Sequence, residues 1–222
     1  FEEFLETTRR RILLCKELLN PTGSILWFGI HHYIGFIQSI MYDVGLNYRR
    51  MNIWHYENGF SRSSKAPLTQ YEPFLWFSKS KTKWTYNVDD VRIPYKSVER
   101  LKNPIYYKGK NGKRKIWRPN PNGAMRGDVW AFPTLAGKVY KKEKTKHPTQ
   151  KPEALIMELI KAFCPKNLDG KYDGSILDPF HGSGTLGVCC EKLNRQGHNI
   201  RWIGIELESK WCEVAKSRIS II

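Results

Sequence analysis

Asp178-Pro179-Phe180-His181-Gly182-Ser183-Gly184-Thr185 is the stretch of this 222-residue chain on which its fold turns. The short apolar run Ser175-Ile176-Leu177 before it predicts the end of a buried strand. Leu186 to Asn194 after it predicts a helix, whose small Gly187 and Cys189 permit close packing on a sheet. Gly182 and Gly184 let the backbone approach a ligand without Cβ interference, and the helix N-terminus beyond them offers N–H groups. The run from Gly182 to Gly187 also satisfies G-x-G-x-x-G formally, so the turn by itself is shared by many nucleotide and phosphate sites.

Working downstream, Gly197 marks the helix exit and Ile200 to Ile205 predicts a second strand ending at Glu206. The result is a βαβ unit with a glycine loop at the end of its first strand and an acid at the end of its second. An acid there can accept hydrogen bonds from both hydroxyls of a ribose, with Glu208 the weaker candidate. The competing reading of Glu206 is a charge at the N-terminus of the helix predicted over Ser209–Ser217. Upstream, Leu155, Ile156, Leu159, Ile160 and Phe163 recur at helical spacing from Pro152, and Pro165 ends that helix. It is preceded by Lys146-His147-Pro148-Thr149-Gln150-Lys151-Pro152, in which Thr149 is a natural cap and Pro152 suits a first turn.

The two motifs in this order resemble the S-adenosylmethionine site of the permuted (β-class) DNA amino-methyltransferases of restriction–modification systems. There a HPTQKP-like segment precedes a D-x-F-x-G-S-G-T loop. The resemblance implies a Rossmann-like class I methyltransferase fold, α/β with a mostly parallel sheet and flanking helices, carrying an inserted basic target-recognition region. It implies S-adenosylmethionine as cofactor and no metal. The cofactor-binding residues it points to are His147, Pro148, Thr149, Gln150, Lys151, Asp178, Phe180, Gly182, Ser183, Gly184, Thr185 and Glu206. Asp178 and Phe180 would meet the methionine part, and Lys151 would donate towards the cofactor carboxylate.

The N-terminal stretch reads as further α/β structure. Phe4 to Leu19 predicts an amphipathic helix that Asn20-Pro21-Thr22-Gly23 stops. Ser24 to Phe28 predicts a strand, Ile34 to Val44 a helix and Tyr48 to His55 another strand, a βαβ pattern resembling the catalytic half of the same family. His31 and His32 at a strand–helix junction are read as structural. Asn58 to Pro67 is polar and basic, and Gln70 to Phe77 predicts a buried strand; in the family, the aligned loop and strand lie beside the target-base pocket. From Lys79 to Lys146 helical periodicity gives way to Lys, Arg, Tyr, Trp and Asn-Gly or Pro-Asn turns, densest in charge from Lys108 to Lys115. Such a run is either a solvated hairpin or a phosphate-binding element.

The divisions expected are therefore 1–78 for the catalytic half of the core, 79–146 for target recognition and 147–222 for the cofactor half. Residues 92–130 resemble the recognition region of the MboII-like and DpnII-system adenine-N6 enzymes, which favours a flipped adenine over cytosine N4 as the methyl acceptor. A non-catalytic DNA-binding module on the same fold is the remaining alternative. Arg62, Lys65, Lys113, Arg114, Arg118 and Arg126 are the expected DNA contacts, since arginine can read guanine bidentately.

Composition agrees. Lys and Arg number 37 against 21 Asp and Glu, a net charge of +16, which favours a polyanion such as double-stranded DNA; eight Trp interleave with the basic residues. The five cysteines form no CxxC pair and are expected as free thiols in a reducing cytosol. No apolar run reaches membrane-spanning length, so a cytoplasmic, DNA-associated protein of a prokaryotic cell is expected. A cognate restriction endonuclease and a homodimeric assembly go with the resemblance, while the recognition site is not legible. Nor does the family's (Asp/Asn/Ser)-Pro-Pro-(Tyr/Phe) tetrapeptide occur. Asn103-Pro104-Ile105-Tyr106 imitates it, but no apolar strand leads into it. In the permuted order that tetrapeptide precedes the helix matching Phe4–Leu19, so the catalytic residues are expected upstream of Phe1.

Overall fold

The computed structural model describes residues 1–59, 64–97 and 99–222. Helix α1 (Glu2–Leu18) leads into β1 (Ser24–Phe28), α2 (Ile34–Asp43), β2 (Asn47–His55) and β3 (Tyr71–Ser78). A four-residue helix α3 (Glu99–Lys102), a hairpin of β4 (Ile105–Lys108) and β5 (Arg114–Trp117), and the short β6 (Val129–Ala131) follow. The C-terminal part comprises α4 (Glu153–Phe163), β7 (Asp173–Asp178), α5 (Thr185–Asn194), β8 (Asn199–Gly204) and α6 (Ser209–Ser220).

The fold is α/β, but its sheet structure is mixed rather than mostly parallel. The main sheet runs in the order β1-β3-β2-β6, with β3 antiparallel to both neighbours and β2 parallel to β6. The segment β1-α2-β2 therefore is not a simple βαβ unit, because β3 inserts between its two strands. The continuous run Phe74-Leu75-Trp76-Phe77 suits that central position, since a strand paired on both edges and covered on both faces has no solvent side to alternate towards. Strands β7 and β8 pair in parallel as expected, Asp173 opposite Asn199 through Asp178 opposite Gly204.

Helix α4 joins the two parts. Leu155, Leu159 and Ala162 pack with Trp54, Phe74, Val91 and Trp130 against the main sheet. Ile160, together with Cys164 just beyond the helix, packs with Cys189, Cys190, Leu193 and Ile200 from α5 and β8. Each large side chain so buried contributes about 1.5–3 kcal/mol relative to exposure. Two of these core residues, Val91 and Trp130, come from the stretch read as recognition region. Trp130 lies on β6, which pairs with β2, and its indole Nε1 donates to Asn52 Oδ1 at 3.1 Å. Three thiols are held protonated by burial: Cys164 is pushed up to about 11, Cys190 to about 12 and Cys189 higher still. Among the described residues, no helix is long and apolar enough to cross a membrane.

Candidate cofactor site

The two motifs, with 25 residues between them in sequence, meet at Gly182. Its φ is +52°, and a Cβ placed there would lie 2.9 Å from His147 Nε2. Gly184, the residue before α5, has φ +81°, and a Cβ would fall 2.7 Å from the Ala215 Cβ of α6. The loop thus takes left-handed backbone at both glycines and is wedged between His147 and α6, which no side-chain-bearing residue satisfies.

The acids on either side of the loop are held by main chain. Glu206 Oε2 accepts from Gly182 N at 2.8 Å, and Oε1 accepts from Glu208 N at 2.8 Å. These bonds, Glu208 N–H foremost, hold its pKa below the ordinary glutamate value. The residue preceding α6 is Glu208, so Glu206 faces the glycine loop and does not sit at the helix terminus. Asp178 accepts from Phe180 N at 3.1 Å on one oxygen, and its other oxygen lies 3.2 Å from His181 Nδ1. That places the imidazole proton on Nδ1, with Nε2 buried and unpartnered. The His181 ring stacks on Trp202 at 5.5 Å. Phe180 is half exposed; its ring meets the edge of Trp27 at 5.6 Å with the Arg11 guanidinium 5.5 Å above it.

The segment from His147 to Lys151 departs from its expected roles in two places. Thr149 does not cap α4: the residue before the helix is Pro152, and the N–H of Glu153 is taken by the Glu143 carboxylate at 2.7 Å. Pro152 holds an extended conformation that separates Thr149 from the first turn. Lys151 points to β3, pairing with Glu72 at 2.8 Å over the rings of Phe28 and Trp54. Gln150 braces the loop, accepting from Thr145 N at 2.7 Å and donating to Glu143 O at 2.9 Å. His147 Nδ1 accepts from Thr149 N at 3.3 Å, and the ring meets Trp211 edge-on at 4.7 Å.

Burial lowers the His147 pKa below the ordinary imidazole value, against an opposing pull from Glu206. A lowered folded value means the unfolded chain binds the proton first, so this residue's contribution to stability is present above the ordinary histidine pKa and is lost as pH falls through the lowered one. Melting temperatures should therefore fall more steeply below about pH 6.5 in the wild type than in His147→Gln. Parallel pH profiles for the two proteins would exclude His147 as the source.

Arg218 on α6 escaped sequence reasoning. Its Nη1 donates to Ser183 O at 2.7 Å and reaches Ser183 Oγ and Thr185 Oγ1 at 3.3 Å, while Nη2 pairs with Glu153 at 2.9 Å. One guanidinium thereby ties the glycine loop to the start of α4. The only sequence signal was a basic residue in the last turn of a helix, which favourable dipole placement explains equally well.

Of the expected DNA contacts, Arg62 lies outside the described residues, and Lys65 is exposed. Lys113, Arg114 and Arg118 are exposed on or beside the β4–β5 hairpin, which also carries Ile105 and Tyr106 of the tetrapeptide-like run. Arg126 departs from expectation. It donates to Val91 O at 3.1 Å, pairs with Glu158 at 3.0 Å and lies 4.8 Å from the Trp130 ring centroid, so its guanidinium is spent inside the fold. Among the described residues no group of three or more His, Cys, Asp or Glu side chains is placed to hold a metal ion.

A strand, a left-handed glycine turn packed on a second motif, and an acid closing the next strand define a Rossmann-like ligand-binding domain. The chain belongs to the N6_N4_Mtase family of DNA methylases, whose model matches residues 1–217. It is 33% identical over 221 residues to the type II methyltransferase M.HpaI of Haemophilus parainfluenzae, covering 99% of this chain and 60% of that protein. It is 34% identical over 218 residues to M1.MboII of Moraxella bovis, covering 96% of this chain and 78% of that one. Among solved structures, the M1.HpyAVI–SAM complex matches with a TM-score of 0.65 at 26% identity, over 95% of this chain and 81% of that chain. The fold is also that of TTHA0409 from Thermus thermophilus, at 18% identity and a TM-score of 0.58. The chain thus spans about three-fifths of M.HpaI and about four-fifths of M1.MboII.

Proposed function

We propose that this domain binds S-adenosylmethionine at the glycine loop and serves methylation of the N6 amine of a flipped adenine in a short duplex DNA site. The observation that supports the reading is the contact of His147 with Gly182, whose N–H is accepted by Glu206, so that both motifs and the strand-end acid come together. The residues fit the cofactor. Glu206 uses each carboxylate oxygen for a main-chain donor and keeps lone pairs for ribose hydroxyls. The Asp178 carboxylate is partly exposed and suits the methionine ammonium, with the open Phe180 ring beside it. Gly182 and Gly184 allow close main-chain approach.

The cofactor supplies an already activated methyl group, so the protein's task is alignment and exclusion of water. Asp178 and Phe180 would hold the methionine end, Glu206 the ribose, and Arg218 would keep the loop from shifting under them. The target amine has to leave the base stack to be reached. The residues that would hold it belong to the family's tetrapeptide, which has no match in this chain. Adenine is favoured by the likeness of residues 92–130 to the MboII-type recognition region, and a cognate endonuclease follows from a type II system.

Calorimetric titration should show binding of S-adenosylmethionine or its demethylated product, and absence of binding to either would sink the reading. When the full-length protein is given methyl-labelled cofactor and duplex DNA, digestion to nucleosides should release N6-methyladenine. N4-methylcytosine would select the cytosine reading. Cofactor binding without incorporation at any site would leave a binding module.

A further inference from the structure

The β4–β5 hairpin is the one part of the described fold whose strands are exposed at every position. It is closed by Gly109 N donating to Lys113 O and Gly112 N to Gly109 O, both at 2.9 Å, with Gly112 at φ +73°. A lone two-stranded ribbon is marginal in water, and this one shows Ile105, Tyr106, Tyr107 and Ile116 each about half exposed. Trp117 does not close it onto the body but lines an open cavity of about 1130 Å³ with Tyr95 and Met125. Something outside the fold has to cover it.

Charge says what. From Arg100 to Gly127 the chain has nine Lys or Arg and no Asp or Glu. The register, Tyr106 opposite Ile116 and Lys108 opposite Arg114, puts Tyr106, Lys108, Arg114 and Ile116 on one face. Ile105, Tyr107, Lys115 and Trp117 share the other. Cations on both faces of a ribbon match an occupant with negative charge on both sides of it. The DNA major groove is such a place: two phosphate walls about 12 Å apart, wide enough to admit a two-stranded ribbon. A second copy of this chain would bring like charge, and a flat surface would meet only one face. Arg114 is also pre-set, its guanidinium 4.4 Å from the Tyr106 ring centroid. Stacking of this kind leaves the guanidinium edge open for paired hydrogen bonds to guanine O6 and N7.

We propose that the β4–β5 ribbon enters the major groove of duplex DNA, with Arg114, shelved on Tyr106, reading a guanine while Lys113 and Lys115 meet phosphates. This rests on the DNA-methylase reading, and its test separates the two. The protein is used to select binders from randomised duplexes, and the winning motif is compared between wild type and variants. Arg114→Ala should flatten one guanine position and weaken the selected duplex roughly 10- to 100-fold. Tyr106→Ala should do the same more weakly. Lys113→Ala should weaken all duplexes alike and lower the salt slope by about one. Replacing that guanine by 7-deazaguanine should cost the wild type affinity and cost Arg114→Ala nothing further. An unchanged motif in Arg114→Ala, indifference to 7-deazaguanine, or preference for single strands over duplex would each overturn the proposal. Cofactor titration of the same proteins keeps the parent reading separate: a protein that binds cofactor and ignores the ribbon variants sinks the ribbon alone.

Discussion

Gly204→Ala should destabilise the domain by about 2 kcal/mol, within the usual cost of forcing extra volume into a packed core. A Cβ on Gly204 would run into both Cγ and Cδ2 of His181 and lie 2.7 Å from its Nδ1. Contacts that short demand movement, and the ring has nowhere to go. It is stacked on Trp202, bonded through Nδ1 to Asp178 and only 6% exposed. Gly204 does not have a positive φ, so backbone strain adds nothing and the cost is steric. A double-mutant cycle isolates it. Chemical denaturation should give a large loss for Gly204→Ala, a separate loss for His181→Ala from the cavity it leaves, and little further loss when the two are combined. Equal cost of Gly204→Ala with and without the imidazole would show that the contact is not the cause. Since displaced His181 takes the Asp178 carboxylate with it, Gly204→Ala should also weaken cofactor binding in whatever fraction remains folded.

Glu206→Ala should reduce cofactor affinity by about 100-fold or more. A hydrogen bond to a charged acceptor is worth about 1.5–3 kcal/mol, and two ribose hydroxyls would lose theirs together. The loop suffers as well, because Gly182 N loses its acceptor. The pH dependence follows from the lowered pKa. Glu208 N–H, ahead of Gly182 N–H and Leu207 N–H, keeps the carboxylate charged. Its contribution is therefore fully present above the ordinary glutamate range and disappears only as pH falls through the lowered value. Affinity should stay level on the acid side into that range, and Glu206→Ala should lack the final drop. Glu206→Gln, which keeps one acceptor oxygen, should fall between the two. Wild-type affinity from an alanine variant, measured by calorimetry, would remove Glu206 from the site.

Much of the cofactor half was legible because its determinants are local. The helical recurrence of Leu155, Leu159 and Ile160, the strand before Asp178 and the glycines after it predicted α4, β7 and α5 to within a few residues. Strand partners were less legible. The apolar run of β3 announced a buried strand, yet nothing in it said that it would separate β1 from β2 and run antiparallel to both. The stretch read as one recognition region also contributes to the core, and that is hidden in the sequence for a related reason. Val91 and Trp130 look like any apolar residues in a basic, turn-rich stretch, and only β6 pairing with β2 draws them into the core.

By itself the sequence determined the α/β class, the order of the two motifs and the glycine turn, since periodicity and left-handed backbone are properties of a few consecutive residues. Tertiary structure alone decided which polar groups are free to act. Lys151 and Arg126 carry the same charge in the sequence as Arg114, but Glu72 and Glu158 claim the first two. Arg218 and Gly204 became part of the site only through partners 23 to 65 residues away. An ion pair or a steric contact depends on what folding brings within a few ångströms, and residue spacing along the chain does not carry that information.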